Sequence, residues 1–377
     1  MLLSTTNFQP EPKPPSDEQI KLFIKEEVRQ GKGYALDQMS RCLKLDQNEH
    51  YYEWPKAIKQ LISSQLLQSS WKRYPTPYPV ELEELMCSKL SLAPGSVMFG
   101  PGSSTIIDLL FATLCHNVPW VILAPSFVLY DVRARLHQVT YSPWYLEDHG
   151  DFTLDSLPTL HPGSVVLFAS PNNPTGSLLP YDTLKHLLKT YPQTLFICDG
   201  AYEEFSQLSY QPLLHEFSNL LILKTFAKAY SAAGIRLGYM LGASQFLREL
   251  RKYQLPFSIN NFTLIALQTI LNHPTFFQDA KEHIKLTIRQ REFLFSEMSA
   301  YQREGFYVMP SHANFLLMRW DDTQQCNRFY QRLKADNILI RNLSGYGQMK
   351  GALRVTLGTP SENQIFLDAF KKWIHTP

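Results

Sequence analysis

The sequence predicts an α/β protein: a doubly wound, mainly parallel sheet of seven strands, followed by a smaller α+β domain. Short apolar runs typical of buried strands recur through the first two thirds of the chain, and helix-like segments separate most of them. After about residue 262, long helical patterns and shorter strand signals replace this alternation. The predicted strands of the large sheet are residues 96–100, 120–124, 138–142, 164–170, 194–199, 220–225 and 236–241.

The N-terminal part of the chain is predicted to be helical and to lack a sheet of its own. A proline-rich arm precedes Ser16, which is a candidate N-cap for a helix that stops at Gly31, and a second helix fits residues 55–70. We expect this part to pack on the smaller domain. The predicted domain bounds are 1–70 for the N-terminal part, 71–262 for the large domain and 263–377 for the small domain.

Composition favours a protein that acts on a small molecule. Of the 377 residues, 44% are apolar and 19% are charged, and the net charge of +2 gives no indication of a nucleic acid or membrane partner. The 5 cysteines form no close pair, which is typical of reduced thiols in the cytoplasm, and the N-terminus lacks the features of a signal peptide. The apolar runs are too short to cross a bilayer, and the 11 histidines show no metal-binding spacing.

Chemistry is expected where the strands end, because ligands of doubly wound sheets bind beyond the carboxyl ends of the strands. Gly102, Ser103 and Ser104 follow the first strand and open a helix, whose free N–H groups could bind an anion. Phe127 follows the second strand and could stack on a planar ring. Each feature alone is as consistent with an ordinary turn or a core aromatic residue.

The later strand ends carry more polar side chains. Asn173 lies in the rigid loop "PNNPTG" and can offer its amide to a ligand. Asp199 ends an almost wholly apolar strand, and a buried carboxylate needs a cation from the protein or from a ligand. Tyr202 can point into the same crevice.

The segment "TFAKAYSAAGIRLGY" (225–239) places one lysine among small and apolar residues. A surface helix would repeat its charges every three or four residues, and this segment does not. Thr225 and Lys228 follow a strand end, and Arg236 lies further along the same segment. Lys228 is therefore either a buried reactive amine, whose pKa the apolar surroundings would lower, or a residue whose amine reaches out of a crowded loop.

Together these groups match pyridoxal phosphate, a ring that carries a phosphate, a basic nitrogen and an aldehyde. A dinucleotide is not favoured, because no G-x-G-x-x-G follows the first strand. Lys228 would condense with the aldehyde as a Schiff base, and Asp199 would keep the ring nitrogen protonated. Asn173 and Tyr202 would hydrogen-bond the phenolic oxygen, and Phe127 would cover one ring face. The expected phosphate ligands are Arg236, Thr225 and the N–H groups of Gly102, Ser103 and Ser104.

These motifs resemble those of fold-type I pyridoxal-phosphate aminotransferases (class I/II), and within them the histidinol-phosphate aminotransferase branch. "PNNPTG", "DGAYEEF" and "TFAKAYSAAGIRLGY" match the family's cofactor loops in order and spacing, and the resemblance covers most of the chain. "LDQNEH" resembles that branch's N-terminal substrate segment. "RYPTPYPVELEELM" resembles its segment whose tyrosine, here Tyr74, reaches the phosphate of the partner subunit.

"PSHANFLLMR", "ILIRNL" and "LRVTLGT" match the small-domain signatures of the same family. By this resemblance Arg354 binds the substrate's α-carboxylate or its equivalent, and Asn314 and Arg341 lie at the substrate end. Three positions depart from the family pattern. Gly200 replaces a common acidic residue, His50 stands in place of an asparagine and is not followed by the usual proline, and Ala227 replaces a phosphate-binding serine.

The resemblance implies a homodimeric, cytoplasmic aminotransferase that takes a small-molecule amino donor and a 2-oxo acid acceptor. The most similar activity is histidinol-phosphate:2-oxoglutarate amino transfer in histidine biosynthesis, with Lys228, Asp199 and Tyr202 as catalytic residues. A lyase similar to threonine-phosphate decarboxylase and an aromatic amino acid aminotransferase are the alternatives on the same scaffold. A non-catalytic binding module is disfavoured, because every catalytic position is filled.

Overall fold

The structure is a computed structural model that describes residues 14–31, 39 and 41–375. Residues 14–31 belong to a unit of their own. In it, Ser16 caps a helix as predicted, since its hydroxyl accepts from the Gln19 amide and the Gln19 side chain accepts from the Ser16 N–H. The predicted single helix is two short ones, because the chain is extended at Ile24. Most of the predicted proline-rich arm lies outside the described residues.

The second unit contains nearly all the regular structure, together with several 3₁₀ turns. Counting the first unit, the helices are α1 (Asp17–Phe23), α2 (Glu26–Gln30), α3 (Lys56–Gln68), α4 (Val80–Lys89), α5 (Ser103–Thr113), α6 (Val128–Leu136), α7 (Tyr181–Thr190), α8 (Ser244–Arg251), α9 (Asn261–Asn272), α10 (Phe276–Ser299), α11 (Thr323–Ala335) and α12 (Pro360–Ile374). The strands are β1 (Leu43–Leu45), β2 (Val97–Gly100), β3 (Trp120–Ala124), β4 (Tyr141–Tyr145), β5 (Val165–Ala169), β6 (Leu195–Asp199), β7 (Leu220–Thr225), β8 (Gly238–Leu241), β9 (Phe306–Met309), β10 (Phe315–Trp320), β11 (Ile338–Asn342) and β12 (Ala352–Thr356). In the part of the chain that the structure describes, no helix has the length and apolar character of a membrane span.

The predicted seven-stranded sheet is confirmed, with strand order β2-β8-β7-β6-β5-β3-β4. All its neighbouring pairs are parallel except the two that involve β8. Helices cover both faces, since alternate residues of β3 enter separate apolar clusters: Val121 and Leu123 enter one, and Trp120 and Ile122 the other. Strand β4 begins later than predicted, because Gln138 adopts a left-handed φ of 57° and ends α6 instead of starting a strand.

A second sheet of five strands has the order β1-β11-β12-β10-β9. Its side chains contribute to a separate apolar cluster. Its last four strands in the chain were predicted, whereas β1 was not. Strand β1 pairs in parallel with β11, which joins part of the N-terminal segment to the small sheet. Helix α3 packs elsewhere, since Ile58 and Ile62 are buried in an apolar cluster of the large sheet. The domain boundaries at residues 70 and 262 stay a prediction.

The strand directions bring the predicted site residues to one side of the large sheet, at the carboxyl ends of its parallel strands. Strands β5, β6 and β7 run in parallel, so the residues that follow them leave the sheet on the same side. Strand β2 runs in the same direction as β7, because each is antiparallel to β8. The start of α5 and the segment that precedes β8 therefore lie at this same edge.

Candidate active site

An anion-binding cradle forms at the start of α5. Gly102 precedes the helix with a φ of 92°, a conformation that glycine adopts at little cost. Gly238 of β8 approaches so closely that an added Cβ would lie 2.3 Å from the Ser103 nitrogen. The Arg236 guanidinium lies over the same turn, 2.7 Å from the place of a Cβ at Gly102. Helix N–H groups and a guanidinium thus converge where a phosphate could bind, with the Ser104 N–H in the same first turn.

Thr225 stabilises the loop that leads to the candidate reactive lysine through two hydrogen bonds. Its hydroxyl donates to the Leu237 carbonyl over 3.3 Å and accepts from the Ala227 N–H over 3.1 Å. The same hydroxyl therefore holds both sides of the loop together at the end of β7. Ala227 itself offers no side-chain donor, as the sequence indicated.

Lys228 donates from Nζ to the Gln47 carbonyl oxygen over 2.8 Å. Burial lowers the pKa of this amine from 10.5 to about 7, and the positive charges of Arg354 and Arg236 act in the same direction. The predicted lowering of the Lys228 pKa by its surroundings is confirmed. An amine of this pKa is partly neutral at physiological pH, as a nucleophile or a proton acceptor must be.

Asp199 ends β6 and is buried beside Tyr130, a residue that the sequence analysis did not identify. The Tyr130 hydroxyl donates to Asp199 Oδ2 over 2.7 Å, and the Ala201 N–H donates to Oδ1 over 3.1 Å. Burial raises the pKa of Asp199 above its usual range, although both hydrogen bonds oppose that shift. A cationic ligand group beside this carboxylate would offset the cost of its burial.

Phe127 lies at the start of α6, half-buried, and its ring meets the Tyr130 ring edge-on at 5.7 Å. The aromatic residue and the buried carboxylate are thus linked through one tyrosine. Phe127 and Tyr130 are three positions apart in the sequence, a spacing that makes side chains neighbours on a helix.

Tyr202 connects the large sheet to the segment "LDQNEH" (45–50). Its hydroxyl accepts from Asn48 Nδ2 over 2.9 Å, and its ring centre lies 5.9 Å from Lys228 Nζ. Asn48 is held in turn by residues of the small sheet and its loops, through Thr356 Oγ1 at 2.9 Å and Asn314 Nδ2 at 3.2 Å. Asn314 therefore acts on the crevice through Asn48, a residue whose segment, but not whose role, was recognised in the sequence.

Arg354 and Arg341 lie opposite each other on the antiparallel strands β12 and β11. Arg354 donates to Asn173 Oδ1 over 2.5 Å and to the Asp46 carbonyl over 3.0 Å. Arg341 donates to the Tyr346 hydroxyl over 2.6 Å. The register makes the two arginines direct neighbours across these strands, a position from which their guanidiniums could bind an anionic ligand.

Tyr74 is 82% exposed and stacks on the Phe257 ring at a centroid distance of 5.0 Å. Its hydroxyl therefore has no part in the crevice that the other residues line in this chain. The exposure is compatible with the role across a subunit interface that the sequence resemblance implies, which stays a prediction.

The departure at Gly200 has a local explanation. A Cβ at this position would lie 2.9 Å from Glu203 Oε2. The buried Lys224 ammonium pairs with Glu204 at 2.7 Å and with Glu203 at 3.5 Å. Glu203 and Glu204 thus supply carboxylates beside Lys224, and glycine at 200 leaves the space for one of them.

The donor set fits pyridoxal phosphate. The cradle at α5 suits its phosphate, buried Asp199 suits its ring nitrogen, and Lys228 lies on the same edge of the sheet. Arg354 donates to the oxygen of the Asn173 amide, so the amide NH₂ is the group that would donate to the ring's phenolic oxygen. When bound, this cofactor supplies a carbonyl carbon for the amine and an electron-withdrawing ring. Among the described residues, no cluster of metal-ligating side chains is present.

Comparison with known proteins agrees with this fit. Residues 40–370 match the family Aminotransferase class I and II. Histidinol-phosphate aminotransferase 1 of Carboxydothermus hydrogenoformans is 33% identical over 351 residues, which are 92% of this chain and 97% of that protein.

Two solved structures have the same fold. Histidinol-phosphate aminotransferase from Sinorhizobium meliloti, in complex with pyridoxal-5'-phosphate, has a TM-score of 0.76 at 20% identity, covering 88% of this chain and 90% of that one. L-threonine-O-3-phosphate decarboxylase from Porphyromonas gingivalis has a TM-score of 0.75 at 20% identity, covering 88% and 99%. The family match and the sequence identity to the curated relative decide the assignment. The chain belongs to the class I and II aminotransferases and is a pyridoxal-phosphate-dependent enzyme.

Proposed function

We propose that this aminotransferase takes histidinol phosphate as its amino donor and a 2-oxo acid such as 2-oxoglutarate as its acceptor, a step of histidine biosynthesis. The observation that carries the choice of donor is the facing pair Arg341 and Arg354 on the neighbouring strands β11 and β12 of the small sheet. Two guanidiniums on neighbouring strands suit a dianionic phosphate in the first half-reaction and the carboxylates of a 2-oxo acid in the second. The name of the curated relative supports the same donor.

Each residue of the candidate site has its own role in the proposed reaction. Lys228 would take the proton from the substrate carbon and return it during the reaction, and its lowered pKa suits that task. Asp199 holds the proton of the ring nitrogen in place. The Tyr202 hydroxyl, which accepts from Asn48 Nδ2, and the Asn173 amide would contact the phenolic oxygen. Arg236 and the start of α5 hold the phosphate.

A panel of amino donors with 2-oxoglutarate tests this function. Histidinol phosphate should give the highest kcat/KM, with one glutamate formed for each ketone. Threonine phosphate, phenylalanine, tyrosine and unphosphorylated histidinol serve as comparison donors. Release of carbon dioxide from threonine phosphate without glutamate would contradict the proposal in favour of a lyase, and a preference for phenylalanine or tyrosine would favour an aromatic aminotransferase.

The substrate assignment makes a prediction for Arg341. Replacing Arg341 by glutamine should weaken the use of histidinol phosphate by about 2–5 kcal/mol in kcat/KM, the scale for removing one member of a desolvated charge pair. Histidinol should be affected little, because it lacks the phosphate. Steady-state kinetics with both donors measure the contrast.

Arg319 provides a matched control for this prediction, since it lies on β10 of the same sheet. Arg319→Gln should leave the ratio of kcat/KM for the two donors unchanged. Equal losses for both donors in Arg341→Gln would assign Arg341 a structural role, consistent with its bond to Tyr346, and would remove the argument for a phosphorylated donor.

We further propose that the enzyme works as a homodimer in the cytoplasm. The exposed large apolar side chains Trp71, Tyr74, Tyr253 and Leu255 are each more than 70% exposed, which is typical of a surface that a partner covers. Tyr74 would then reach the phosphate in the partner's crevice. The five cysteines are free, as expected in a reducing compartment.

Subunit hybrids test the position of Tyr74. Tyr74→Phe and Lys228→Ala proteins should each have low activity, and hybrids formed by mixing them should regain part of it. One of the two sites in a hybrid would carry both substitutions and the other neither. Absence of recovery, in samples whose hybrid content is verified by native mass spectrometry, would show that Tyr74 does not act across the interface.

A further inference from the structure

His50 occupies a point where three segments meet. It is buried, and each ring nitrogen contacts a hydroxyl: Nδ1 lies 2.9 Å from Ser231 Oγ, and Nε2 lies 2.9 Å from Thr287 Oγ1. Ser231 belongs to the loop of Lys228, and Thr287 to α10. The imidazole therefore connects the substrate segment to the lysine loop and to the long helix that leads to the small domain.

The hydrogen-bond partners determine the tautomer of His50. The single proton of the Thr287 hydroxyl is donated to the His283 carbonyl over 2.9 Å, so Thr287 accepts from His50 Nε2–H. Burial lowers the pKa of His50 from 6.5 to about 4, which keeps the ring neutral. Nδ1 is then an acceptor, and it receives the proton of the Ser231 hydroxyl.

Ser231 has an unusual backbone conformation. Its φ is 52°, in the left-handed region that residues other than glycine rarely adopt. Its N–H donates to the Lys228 carbonyl over 3.2 Å, so the turn that Ser231 forms begins at the lysine itself. The amine of Lys228 donates to the carbonyl of Gln47, which lies in the same short segment as His50. Residues 47–50 thus hold both the amine of Lys228 and its backbone turn.

We propose that His50 is a positioning residue, whose neutral imidazole holds Ser231 in the left-handed conformation and so directs the Lys228 amine into the crevice. A bond from a fixed acceptor offsets a conformational cost that serine would otherwise meet at this position. The bond of Nε2 to Thr287 fixes the ring, and the bond of Nδ1 to Ser231 fixes the loop. The proposal rests on Lys228 being the reactive amine of the proposed function.

Glycine at position 231 provides the decisive test, because glycine adopts a positive φ without help. His50→Leu should lower kcat by about 10- to 100-fold, the scale for a displaced reactive group, with a smaller change in the KM of the donor. The double variant His50→Leu/Ser231→Gly should recover most of the lost kcat. If His50 served only to fill space, the added glycine would restore nothing, so a double variant no faster than His50→Leu would overturn the proposal.

A second readout needs neither cofactor nor substrate. Competitive acetylation of the cofactor-free chain, followed by mass spectrometry of the Lys228 peptide, measures the pKa of that amine. The value of about 7 should rise in His50→Leu, because a displaced amine gains solvation, and should return in the double variant. An unchanged titration in His50→Leu would also overturn the proposal. A wrong donor assignment would leave this readout unaffected.

Further variants separate the two bonds of the ring. Thr287→Val keeps the shape of the side chain and removes the Nε2 partner together with the bond to the His283 carbonyl, but it leaves the Nδ1 bond to Ser231 intact. It should therefore cost less kcat than Ser231→Ala. His50→Asn places an amide near Nδ1, and His50→Gln places one near Nε2; asparagine should therefore preserve the Lys228 titration better than glutamine. If His50→Leu fails to fold, this order decides the question, and the reverse order would contradict the proposal.

Discussion

Lys228→Ala is expected to abolish amino transfer, with a loss in kcat of more than about 10⁴-fold, because one side chain supplies both the covalent attachment and the proton transfer. Cofactor should still bind through its phosphate, since the cradle at α5 and Arg236 do not involve the lysine. Single-turnover kinetics and equilibrium dialysis of the cofactor measure the two effects. The visible absorbance that depends on the lysine's bond to the cofactor should be lost.

Lys224 supplies the matched control, because it is also a buried lysine near the end of β7. Lys224→Met leaves Glu203 and Glu204 buried without their cation and should destabilise the fold by about 3–5 kcal/mol. Its rate per folded molecule should fall far less than that of Lys228→Ala. Amino transfer by Lys228→Ala at near the native rate would refute the assignment of the reactive amine.

Lys228→Ala should also change the pH dependence of stability in the cofactor-free chain. The pKa of Lys228 is about 7 when folded and close to its ordinary value of 10.5 when unfolded. Between these values the unfolded chain binds more protons, so the lysine lowers stability progressively as the pH falls from 10.5 to 7. As the pH falls through this window, the free energy of unfolding of Lys228→Ala should therefore rise relative to that of the native chain. Below the window the difference should stay constant. Urea titrations at several pH values measure the difference.

The large sheet could be predicted because its strands are buried on both faces and appear as uninterrupted apolar runs. The error at β4 arose from Gln138, an apparent strand residue whose left-handed conformation ends a helix. Strand β1 was missed because it has three residues and pairs with β11, almost 300 residues away in the chain. Local sequence carries little information about so short and so distant a pairing.

The candidate site was predictable where its residues follow strands, since the topology alone brings those positions to one edge. The supporting contacts were not predictable in the same way. Tyr130 meets Asp199 from 69 positions away, and His50 meets Ser231 and Thr287 from 181 and 237 positions away. Such contacts depend on how helices and loops pack on the sheet, and each of these residues alone resembles an ordinary core side chain.

Asp199→Asn is expected to produce the second largest loss, about 10²–10³-fold in kcat, the scale for removing one preorganised electrostatic contact to a developing charge. A neutral amide cannot keep the ring nitrogen protonated, so the ring withdraws electrons less effectively. The fold should persist, because asparagine has nearly the same shape. Thermal unfolding and single-turnover rates measure the two quantities separately.

Tyr130→Phe is the matched control for Asp199, because it removes the 2.7 Å hydrogen bond and leaves the carboxylate in place. That bond opposes the rise in the Asp199 pKa caused by burial, so its loss should raise the pKa further. The acidic limb of the kcat profile should then move to higher pH, while the rate on the alkaline side of that limb stays much closer to the native value than in Asp199→Asn. If Asp199 acted only through packing, Asp199→Asn would keep the native kcat, and Tyr130→Phe would lower the rate without moving the limb. If instead the ionised carboxylate holds the ring proton, Asp199→Asn lowers kcat and Tyr130→Phe moves the acidic limb. The contribution of Asp199 then depends on its charge and not on its shape.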